Sequence, residues 1–164
     1  MRRDARGAHL LSDGAAGVRT ATLGEAGFGR VWSLAVLLDG RLAAGYGGGG
    51  GPSVVRVWDV PRRAVDAVIR GHTSYVTALS TLVDGRLLSG SGDRTLKVWD
   101  ERALSVRGGA DTDACAATLV GHASFVLALS VLPDRRVASG GRDGTVCGSE
   151  RPLRRRQRGS VGDR

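Results

Sequence analysis

The amino-acid sequence predicts an all-β fold assembled from copies of one small antiparallel sheet. Short apolar runs alternate with turn signals such as Asp-Gly, which is the pattern of strands joined by tight hairpins. The chain of 164 residues contains 26 glycines, and no long segment shows the helical period. One strand-and-turn pattern also recurs three times, which indicates a repeat protein rather than a fold with one unique core.

The clearest copy occupies residues 71–100, in the middle of the chain. Its alternation of apolar and polar positions predicts three strands in an antiparallel meander. The predicted strands are residues 76–80, 86–89 and 96–99, and the turns between them are centred on Asp84-Gly85 and Gly92-Asp93.

The other two copies flank the central one at fixed shifts. The first copy lies 45 positions before it, and the third lies 50 positions after it. The shared positions are Val31, Leu34, Asp39 and Gly45 in the first copy, Val76, Leu79, Asp84 and Gly90 in the central copy, and Val126, Leu129, Asp134 and Gly140 in the third. Each copy is therefore expected to form a similar sheet.

The central copy resembles a repeat of the WD-repeat β-propeller family. Gly71-His72 opens it, Ser89 and Asp93 stand at the family's spacing, and Trp99-Asp100 closes it. The resemblance covers roughly residues 20–147 and implies four-stranded antiparallel blades. The expected architecture is therefore a partial β-propeller of about three blades. The resemblance also implies a structural network of hydrogen bonds among the side chains of His72, Ser89, Asp93 and Trp99.

The outer copies keep only parts of that network. The matching residues of the third copy are His122, Ser139 and Asp143. Their network is expected to lack its indole, because Ser149 stands where the central copy has Trp99. In the first copy Trp58 is retained, but Ala26-Gly27 replaces the Gly-His pair and Ala44 replaces the serine.

A His, a Ser and an Asp could also form a nucleophilic triad, but the sequence favours a structural role. A triad needs an exposed nucleophile and oxyanion donors, and no nucleophile-elbow motif accompanies these residues. The five consecutive glycines that start at Gly47 lack the Lys-Ser/Thr and the helix of a phosphate-binding loop, so they predict a flexible hairpin loop. We therefore expect no enzymatic activity, no metal site and no cofactor.

Charge and cysteine content indicate the expected environment. The net charge of +8 is concentrated in the ends of the chain, with +2 in residues 1–19 and +4 in residues 150–164. Cys115 and Cys147 provide neither a disulfide framework nor a metal-ligand spacing, which predicts a reducing intracellular setting, cytoplasmic or nuclear. No run has the length of a signal-peptide core or a membrane span.

The chain is predicted to divide into a repeat region and two tails. Residues 1–19 and the Arg-rich residues 150–164 lack strand periodicity and are predicted to be disordered. The WD-repeat region is residues 20–149, with repeats at about 24–69, 70–119 and 120–149. Ala21-Thr22-Leu23 resembles Ala117-Thr118-Leu119, and each segment is predicted to be an outer strand that ends a repeat.

About three blades cannot close a propeller ring, so an open arc with an incomplete third blade is expected. The pattern stops after Val146, which favours a fragment of a longer propeller, including a truncated or frameshifted product. The alternatives are self-association, further blades supplied by a partner, or outer copies that are partly unfolded.

The predicted function is that of a non-catalytic protein-protein interaction scaffold. The candidate partner-binding residues flank the first-strand valine of each copy and are Arg30, Trp32, Tyr75, Thr77, Phe125 and Leu127. Aromatic and arginine side chains are frequent in binding hot spots. The alternative for Tyr75 and Phe125 is that they only pack between blades.

Two other functions have a sequence signal. Residues 99–102, through Trp99, Asp100 and Arg102, match the WDxR pattern by which some family members dock onto the damaged-DNA-binding adaptor of cullin-RING ubiquitin ligases, as substrate receptors. The arginine-rich residues 154–158 suggest electrostatic contact with nucleic acid, for which a solvated tail is the favoured interpretation.

Overall fold

The computed structural model describes residues 22–24, 28–100, 104, 111–112 and 115–153. Regular structure in these ranges is almost entirely β. The strands are β1 (Arg30–Val36), β2 (Leu42–Gly47), β3 (Val55–Asp59), β4 (Ala64–Ile69), β5 (Val76–Thr81), β6 (Leu87–Ser91), β7 (Thr95–Trp99), β8 (Asp111–Thr112), β9 (Cys115–Val120), β10 (Val126–Val131), β11 (Val137–Gly141) and β12 (Val146–Gly148).

The strands form three separate sheets, called blades 1, 2 and 3 in chain order. Blade 1 has the strand order β1-β2-β3-β4-β8, blade 2 the order β5-β6-β7-β9, and blade 3 the order β10-β11-β12. Neighbouring strands are antiparallel, except that the two-residue β8 runs parallel to β4. For the described residues, the prediction of an all-β partial propeller with an incomplete third blade is confirmed.

The recurring Asp-x-Arg sequence makes the first hairpin turn of every blade. In blade 1, the Asp39 carboxylate accepts hydrogen bonds from the backbone N–H of Arg41 at 3.0 Å and from its Nε at 2.7 Å. The middle residue has a left-handed backbone conformation, with φ of 85° at Gly40 and 67° at Arg135. The same carboxylate-to-arginine contacts recur between Asp84 and Arg86 and between Asp134 and Arg136.

A valine and a glycine account for the close approach of consecutive blades. A Cβ added at Gly90 of β6 would lie 2.6 Å from Cγ1 of Val126 in β10. A Cβ added at Gly45 of β2 would lie 2.7 Å from the carbonyl oxygen of Val76 in β5. Any larger residue at these glycines would force the blades apart. The repeated glycine of one blade therefore leaves the space that the repeated valine of the next blade occupies.

Apolar side chains fill the spaces between the blades. The cluster between blades 1 and 2 consists of Leu37, Ala43, Val55, Val57, Ala67, Ile69, Val76, Leu87, Trp99 and Leu104. The cluster between blades 2 and 3 consists of Leu82, Leu88, Leu96, Val98, Val126 and Val137. The core is therefore divided into layers, one at each junction, as expected for stacked repeats.

The two outer faces of the arc lack such a layer at several equivalent positions. Val76 and Val126 are fully buried at the junctions, whereas Val31 at the same position of blade 1 is 52% exposed. At the other end, Val146 of blade 3 is 82% exposed, while its counterpart Leu96 in blade 2 is 5% exposed. The predicted open arc is thus visible as repeat positions that change from buried to exposed.

The segment before β1 differs from the prediction. Residues 22–24 form no strand, so the prediction of an outer strand at Ala21-Thr22-Leu23 is wrong for the described part, and Ala21 lies outside it. Leu23 instead packs on blade 1 in an apolar cluster that includes Trp58 and Phe28. The corresponding prediction for Ala117-Thr118-Leu119 is confirmed, because these residues lie in β9.

The described chain ends with residues that still contact the blades. The backbone N–H of Leu153 donates to the carbonyl oxygen of Arg135 at 3.1 Å, and its carbonyl oxygen accepts from Arg86 Nη2 at 2.7 Å. The predicted tails are residues 1–19 and 150–164. Residues 150–153 of the second tail are described, whereas residues 1–19 and 154–164 lie outside the described residues. Within the described part, no helix is long and apolar enough to cross a membrane.

Candidate interaction surface and its supporting network

Blade 2 brings the four predicted network residues into one chain of hydrogen bonds. Trp99 Nε1 donates to Ser89 Oγ at 2.7 Å. His72 Nε2 lies 2.7 Å from the same oxygen, and His72 Nδ1 lies 2.8 Å from Asp93 Oδ2. The network joins the segment before β5, strand β6, the β6–β7 turn and strand β7.

The chemistry of the partners fixes the direction of this chain. Burial lowers the pKa of His72, and this outweighs the opposing effect of Asp93, so the ring is neutral near pH 7. A carboxylate only accepts, so Nδ1–H donates to Asp93 and Nε2 accepts from the hydroxyl of Ser89. Burial alone would raise the pKa of Asp93, but hydrogen bonds from Thr95 and His72 hold it below its usual value.

The burial of Ser89 favours the structural over the catalytic interpretation of these residues. Its side chain is 0% exposed, and its oxygen already accepts from the Trp99 indole. A nucleophile must reach a substrate and face oxyanion donors. Ser89 therefore acts as a bridge between His72 and Trp99 in this geometry.

Blade 3 contains the same arrangement without the indole. His122 Nε2 lies 2.9 Å from Ser139 Oγ, and His122 Nδ1 lies 3.0 Å from Asp143 Oδ2. Hydrogen bonds from Thr145 hold the pKa of Asp143 well below its usual range. At the position of Trp99, Ser149 Oγ accepts from the backbone N–H of Val137 at 3.0 Å.

Blade 1 replaces the network by aromatic packing. Trp58 is 4% exposed, but Ala44 stands where Ser89 would accept its indole N–H, and Ala26-Gly27 lies outside the described residues. The guanidinium of Arg56 lies 3.8 Å from the ring centroid of Phe28 and 4.9 Å from that of Trp58. Cation–π contacts therefore take the place of the hydrogen bonds.

Three aromatic rings from three successive blades form a row at one rim, here called the aromatic row. The rings of Trp32 and Tyr75 stack with centroids 5.7 Å apart and planes 8° apart. Tyr75 meets Phe125 edge to face at 6.2 Å. Trp32 is 44% exposed and Tyr75 36% exposed, so the row is open to solvent although its rings support one another.

Glycines of the preceding blade make room for this row. A Cβ added at Gly47 would lie 2.7 Å from Tyr75 Cα, and one added at Gly92 would lie 3.3 Å from the Phe125 ring. The predicted hairpin loop at the five glycines is present between β2 and β3, closed by a bridge between Gly48 and Gly51. The glycine loop thus helps to shape the aromatic row.

The remaining predicted surface residues lie around the row with different roles. Arg30 is exposed and Leu127 is 51% exposed. Thr77 instead joins two blades, because its Oγ1 donates to the carbonyl oxygens of Gly90 and Val126. Thr77 is half-buried and contributes more to the junction than to the surface.

One residue of this surface was missed by the sequence analysis. The guanidinium of Arg142 lies 5.8 Å from the Phe125 ring centroid, and its backbone N–H donates to the carbonyl oxygen of Phe125 at 2.8 Å. The register of the β10–β11 hairpin places Val126 opposite Gly141, which is the signal that could have located Arg142. Arg142 extends the aromatic row with a positive charge.

The predicted ligase-adaptor motif is only partly accessible in this fold. Trp99 is 1% exposed and its indole N–H is occupied by Ser89. Asp100 follows it at the end of β7, and Arg102 lies outside the described residues.

Among the described residues, no group of His, Cys, Asp and Glu side chains could hold a metal ion.

A comparison with models of protein families matches this repeat geometry. The family described as WD domain, G-beta repeat, matches residues 65–100 and 113–147. The first match runs from the outer strand of blade 1 through the third strand of blade 2, and the second runs from β9 into β12. Over these two segments, which together make up less than half of the chain, the sequence is similar to the WD-repeat family. The first copy lies mostly outside the matched segments, in line with its altered network.

A solved WD-repeat structure shows the same fold. The WD40 β-propeller domain of Doa1 superimposes with a TM-score of 0.58, covering 71% of this chain and 36% of that one, at 21% sequence identity. At this identity the likeness concerns the fold alone. The chain thus superimposes on about a third of that propeller domain.

Curated relatives are similar over short segments. The Pre-mRNA-processing factor 19 homolog 2 of Arabidopsis thaliana is 40% identical over 58 residues, which is 35% of this chain and 11% of that protein. The THO complex subunit 6 homolog of Danio rerio is 34% identical over 55 residues, or 33% of this chain and 17% of that protein. The DDB1- and CUL4-associated factor 11 homolog of Caenorhabditis briggsae is 41% identical over 75 residues, which is 40% of this chain and 13% of that protein. The chain spans less than a fifth of each relative.

Proposed function

We propose that this WD-repeat chain is a non-catalytic interaction platform that binds a protein segment along the aromatic row. The observation that carries the proposal is the continuity of Trp32, Tyr75 and Phe125 across three blades, with two of the rings more than a third exposed. A row that crosses both junctions presents rigid aromatic surface, because each ring is held by its neighbour and by the blade below it.

The chemistry of the row indicates the kind of segment it suits. Stacked rings offer apolar faces at a low cost in side-chain entropy, and hot spots are rich in Trp, Tyr and Arg. Arg142 lies beside Phe125 at one end, and the exposed Arg30 precedes Trp32 at the other. The surface is suited to an extended peptide with apolar side chains and a flanking acidic residue.

The experiment is a peptide selection with matched variants. Binders are selected from a random peptide display library on the purified 164-residue chain, and their affinities are measured for Tyr75→Ala, Trp32→Ala and Val83→Ala. Val83 is 56% exposed but lies in the turn at the other end of β5, so its variant is the control. Each aromatic variant should weaken binding at least about tenfold, which corresponds to roughly 1.4 kcal/mol.

The contrary result is equally clear. Selected peptides that bind the Tyr75 and Trp32 variants as tightly as the wild type would place the interaction elsewhere. Circular dichroism and thermal melts of each variant must match the wild type, because Tyr75 also packs against Gly47 and Gly48.

A second candidate is the substrate receptor of a cullin-RING ligase. It is favoured by the similarity to a DDB1- and CUL4-associated factor 11 homolog and by the motif residues Asp100 and Arg102. Because Trp99 is buried, an adaptor contact at this motif must come from those two residues. Binding of the purified adaptor by the chain, and its loss on Arg102→Ala, would support this candidate, and absence of binding would reject it.

The setting that fits either candidate is intracellular, in line with the two unpaired cysteines, Cys115 and Cys147. Nucleic-acid contact through residues 154–158 has no observation in the described residues to favour it. A steep fall of affinity with rising salt would be its sign, since phosphate contacts release counterions.

A further inference from the structure

A cavity of about 150 Å³ lies between blades 2 and 3, at the place equivalent to the one that the Trp99 indole fills between blades 1 and 2. The two blades can be compared residue by residue because their strand pairings correspond. In blade 2, Trp99 lies opposite Leu87 across β6 and β7. In blade 3, the backbone N–H of Ser149 donates to the carbonyl oxygen of Val137, at the equivalent place. Ser149 therefore has the backbone position of Trp99 with a much smaller side chain.

The apolar walls of this cavity match the walls around the Trp99 indole. Trp99 belongs to one buried cluster with Val55, Ile69 and Leu87. Val55 and Ile69 are paired across β3 and β4 of blade 1. The equivalent residues one blade later are Leu96, Leu119 and Val137, and all three line the cavity. Leu96 and Leu119 are likewise paired across the outer two strands of blade 2.

The polar wall is conserved between the two sites as well. Ser139 and His122 line the cavity and lie 2.9 Å apart between Oγ and Nε2. In blade 2 the equivalent serine oxygen accepts the indole N–H of Trp99 at 2.7 Å. Ser139 is 4% exposed, so its oxygen is held in the same buried geometry relative to the histidine.

We propose that this cavity is a binding site for a planar aromatic ring that carries an N–H donor, with indole as its simplest form. The ring would take the place of the missing tryptophan between Leu96, Leu119 and Val137 and donate its N–H to Ser139 Oγ. Such a ring can come from a free small heterocycle or from a tryptophan side chain presented by a partner protein. The proposal concerns a different face from the aromatic row and does not depend on the function proposed above.

The test uses indole itself as the probe. Isothermal titration calorimetry on the full chain should show one site with a dissociation constant on the order of 0.1–1 mM, as expected for a ring of this size. Thermal melts should shift upward as indole is added, because a ligand of the folded state stabilises it. The affinity of 1-methylindole, which lacks the donor, should be roughly two- to tenfold weaker, the loss expected for one hydrogen bond.

Two variants locate the binding within the molecule. Ser149→Trp should fill the cavity from within, abolish indole binding and raise the melting temperature of the free chain. Ser139→Ala should reduce the affinity for indole to that for 1-methylindole while leaving 1-methylindole unchanged. The second variant removes a single oxygen and gives an answer even if Ser149→Trp does not fold.

A further arm of the titration distinguishes the two sources of the ring. N-acetyl-tryptophanamide carries the side chain with a peptide backbone. If it binds as indole does, the site accepts a tryptophan presented by a protein. If only indole binds, the ligand is a small free heterocycle. Absence of indole binding at millimolar concentration, or indole binding that Ser149→Trp and Ser139→Ala both leave unchanged, would overturn the proposal.

Discussion

Burial gives two tryptophans of this chain opposite roles at the scale of the single residue. Trp99 is 1% exposed and donates to Ser89, whereas Trp32 is 44% exposed and donates to the carbonyl oxygen of Gly47 at 2.9 Å. Truncating Trp99 leaves a cavity and a serine without its donor, whereas truncating Trp32 removes one stacked ring from the surface. The same residue type therefore stabilises the blade at one site and is available for binding at the other.

We expect Trp99→Ala to destabilise the chain far more than Trp32→Ala. The cost should be roughly 3–5 kcal/mol for Trp99, the range for large buried aromatics, and below about 1.5 kcal/mol for Trp32. Urea melts followed by circular dichroism measure both. Equal losses in the two variants would contradict the assignment of Trp99 to the core and Trp32 to the surface.

The lowered pKa of His72 makes the stability of blade 2 depend on pH. Because the folded-state pKa lies below the ordinary value of about 6.5, the unfolded chain binds more protons once the pH falls below 6.5. Stability should therefore be constant above about pH 7.5 and fall as the pH drops through 6.5. Each unit by which the folded pKa is lowered contributes about 1.4 kcal/mol to the full loss.

Urea melts at pH 7.5 and 5.5 test this linkage, with His72→Gln as the matched variant. The variant is expected to start less stable, because Ser89 and Asp93 lose a partner. It should also lose less stability between the two pH values. Asp93 does not contribute in this window, because its lowered pKa affects stability only near and below pH 4.

At the scale of elements, the repeat pattern predicted the strands because each repeated position serves one structural role, either packing between blades or closing a turn. In blades 2 and 3, the valine at the start of the first strand packs on a glycine of the blade before it, as Val126 does on Gly90. In the Asp-x-Arg turn, the aspartate carboxylate accepts hydrogen bonds from the backbone and side chain of the arginine. Such local and periodic requirements are visible in one sequence.

Other features depend on contacts between distant segments and left no local signal. Thr22 and Leu23 have the composition of an outer strand, but the apolar surface around Trp58 takes Leu23 into a different position. The aromatic row was predicted residue by residue, yet its continuity arises only from the spacing of neighbouring blades. The loss of the tryptophan at Ser149 was visible in the sequence, but only the structure shows a cavity there with its other walls kept.

The two equivalent glycines Gly90 and Gly140 give a sharp test of blade packing. Gly90→Ala should destabilise the chain by about 1–3 kcal/mol, because the added methyl meets Val126 at 2.6 Å. Gly140→Ala should be within about 0.5 kcal/mol of wild type or slightly stabilising, because its Cβ would have Ala128 as its nearest contact, at 3.8 Å. Chemical denaturation of both variants measures the difference. Equal effects would show that the valine-glycine contact does not set the distance between blades.

At the scale of the whole molecule, the two ends of the arc carry complementary surfaces. Val31, Leu34 and Val36 of β1 are 52%, 58% and 67% exposed. The counterparts of Val31 and Leu34 in β5 and β10 pack into the junctions. At the other end, Gly140 leaves the space that Gly45 and Gly90 leave for the valine of the next blade. The leading face of one copy can therefore dock on the trailing face of another by the contacts used within the chain.

Head-to-tail association of two copies would bring about six blades together, a number within the range at which propellers close. The new junctions should be weaker than the internal ones, because Leu127 replaces Thr77 and has no hydroxyl to donate across the junction.

Sedimentation of the purified chain should therefore show a species larger than the monomer whose share rises with concentration. Leu34→Arg should shift it toward the monomer, since a buried charge at the junction is costly. Val83→Arg, on a side chain of similar exposure at the opposite end of β5 from the aromatic row, should leave the association unchanged. A monomer at all concentrations, or equal behaviour of the two arginine variants, would show that the exposed faces of the arc do not recognise each other.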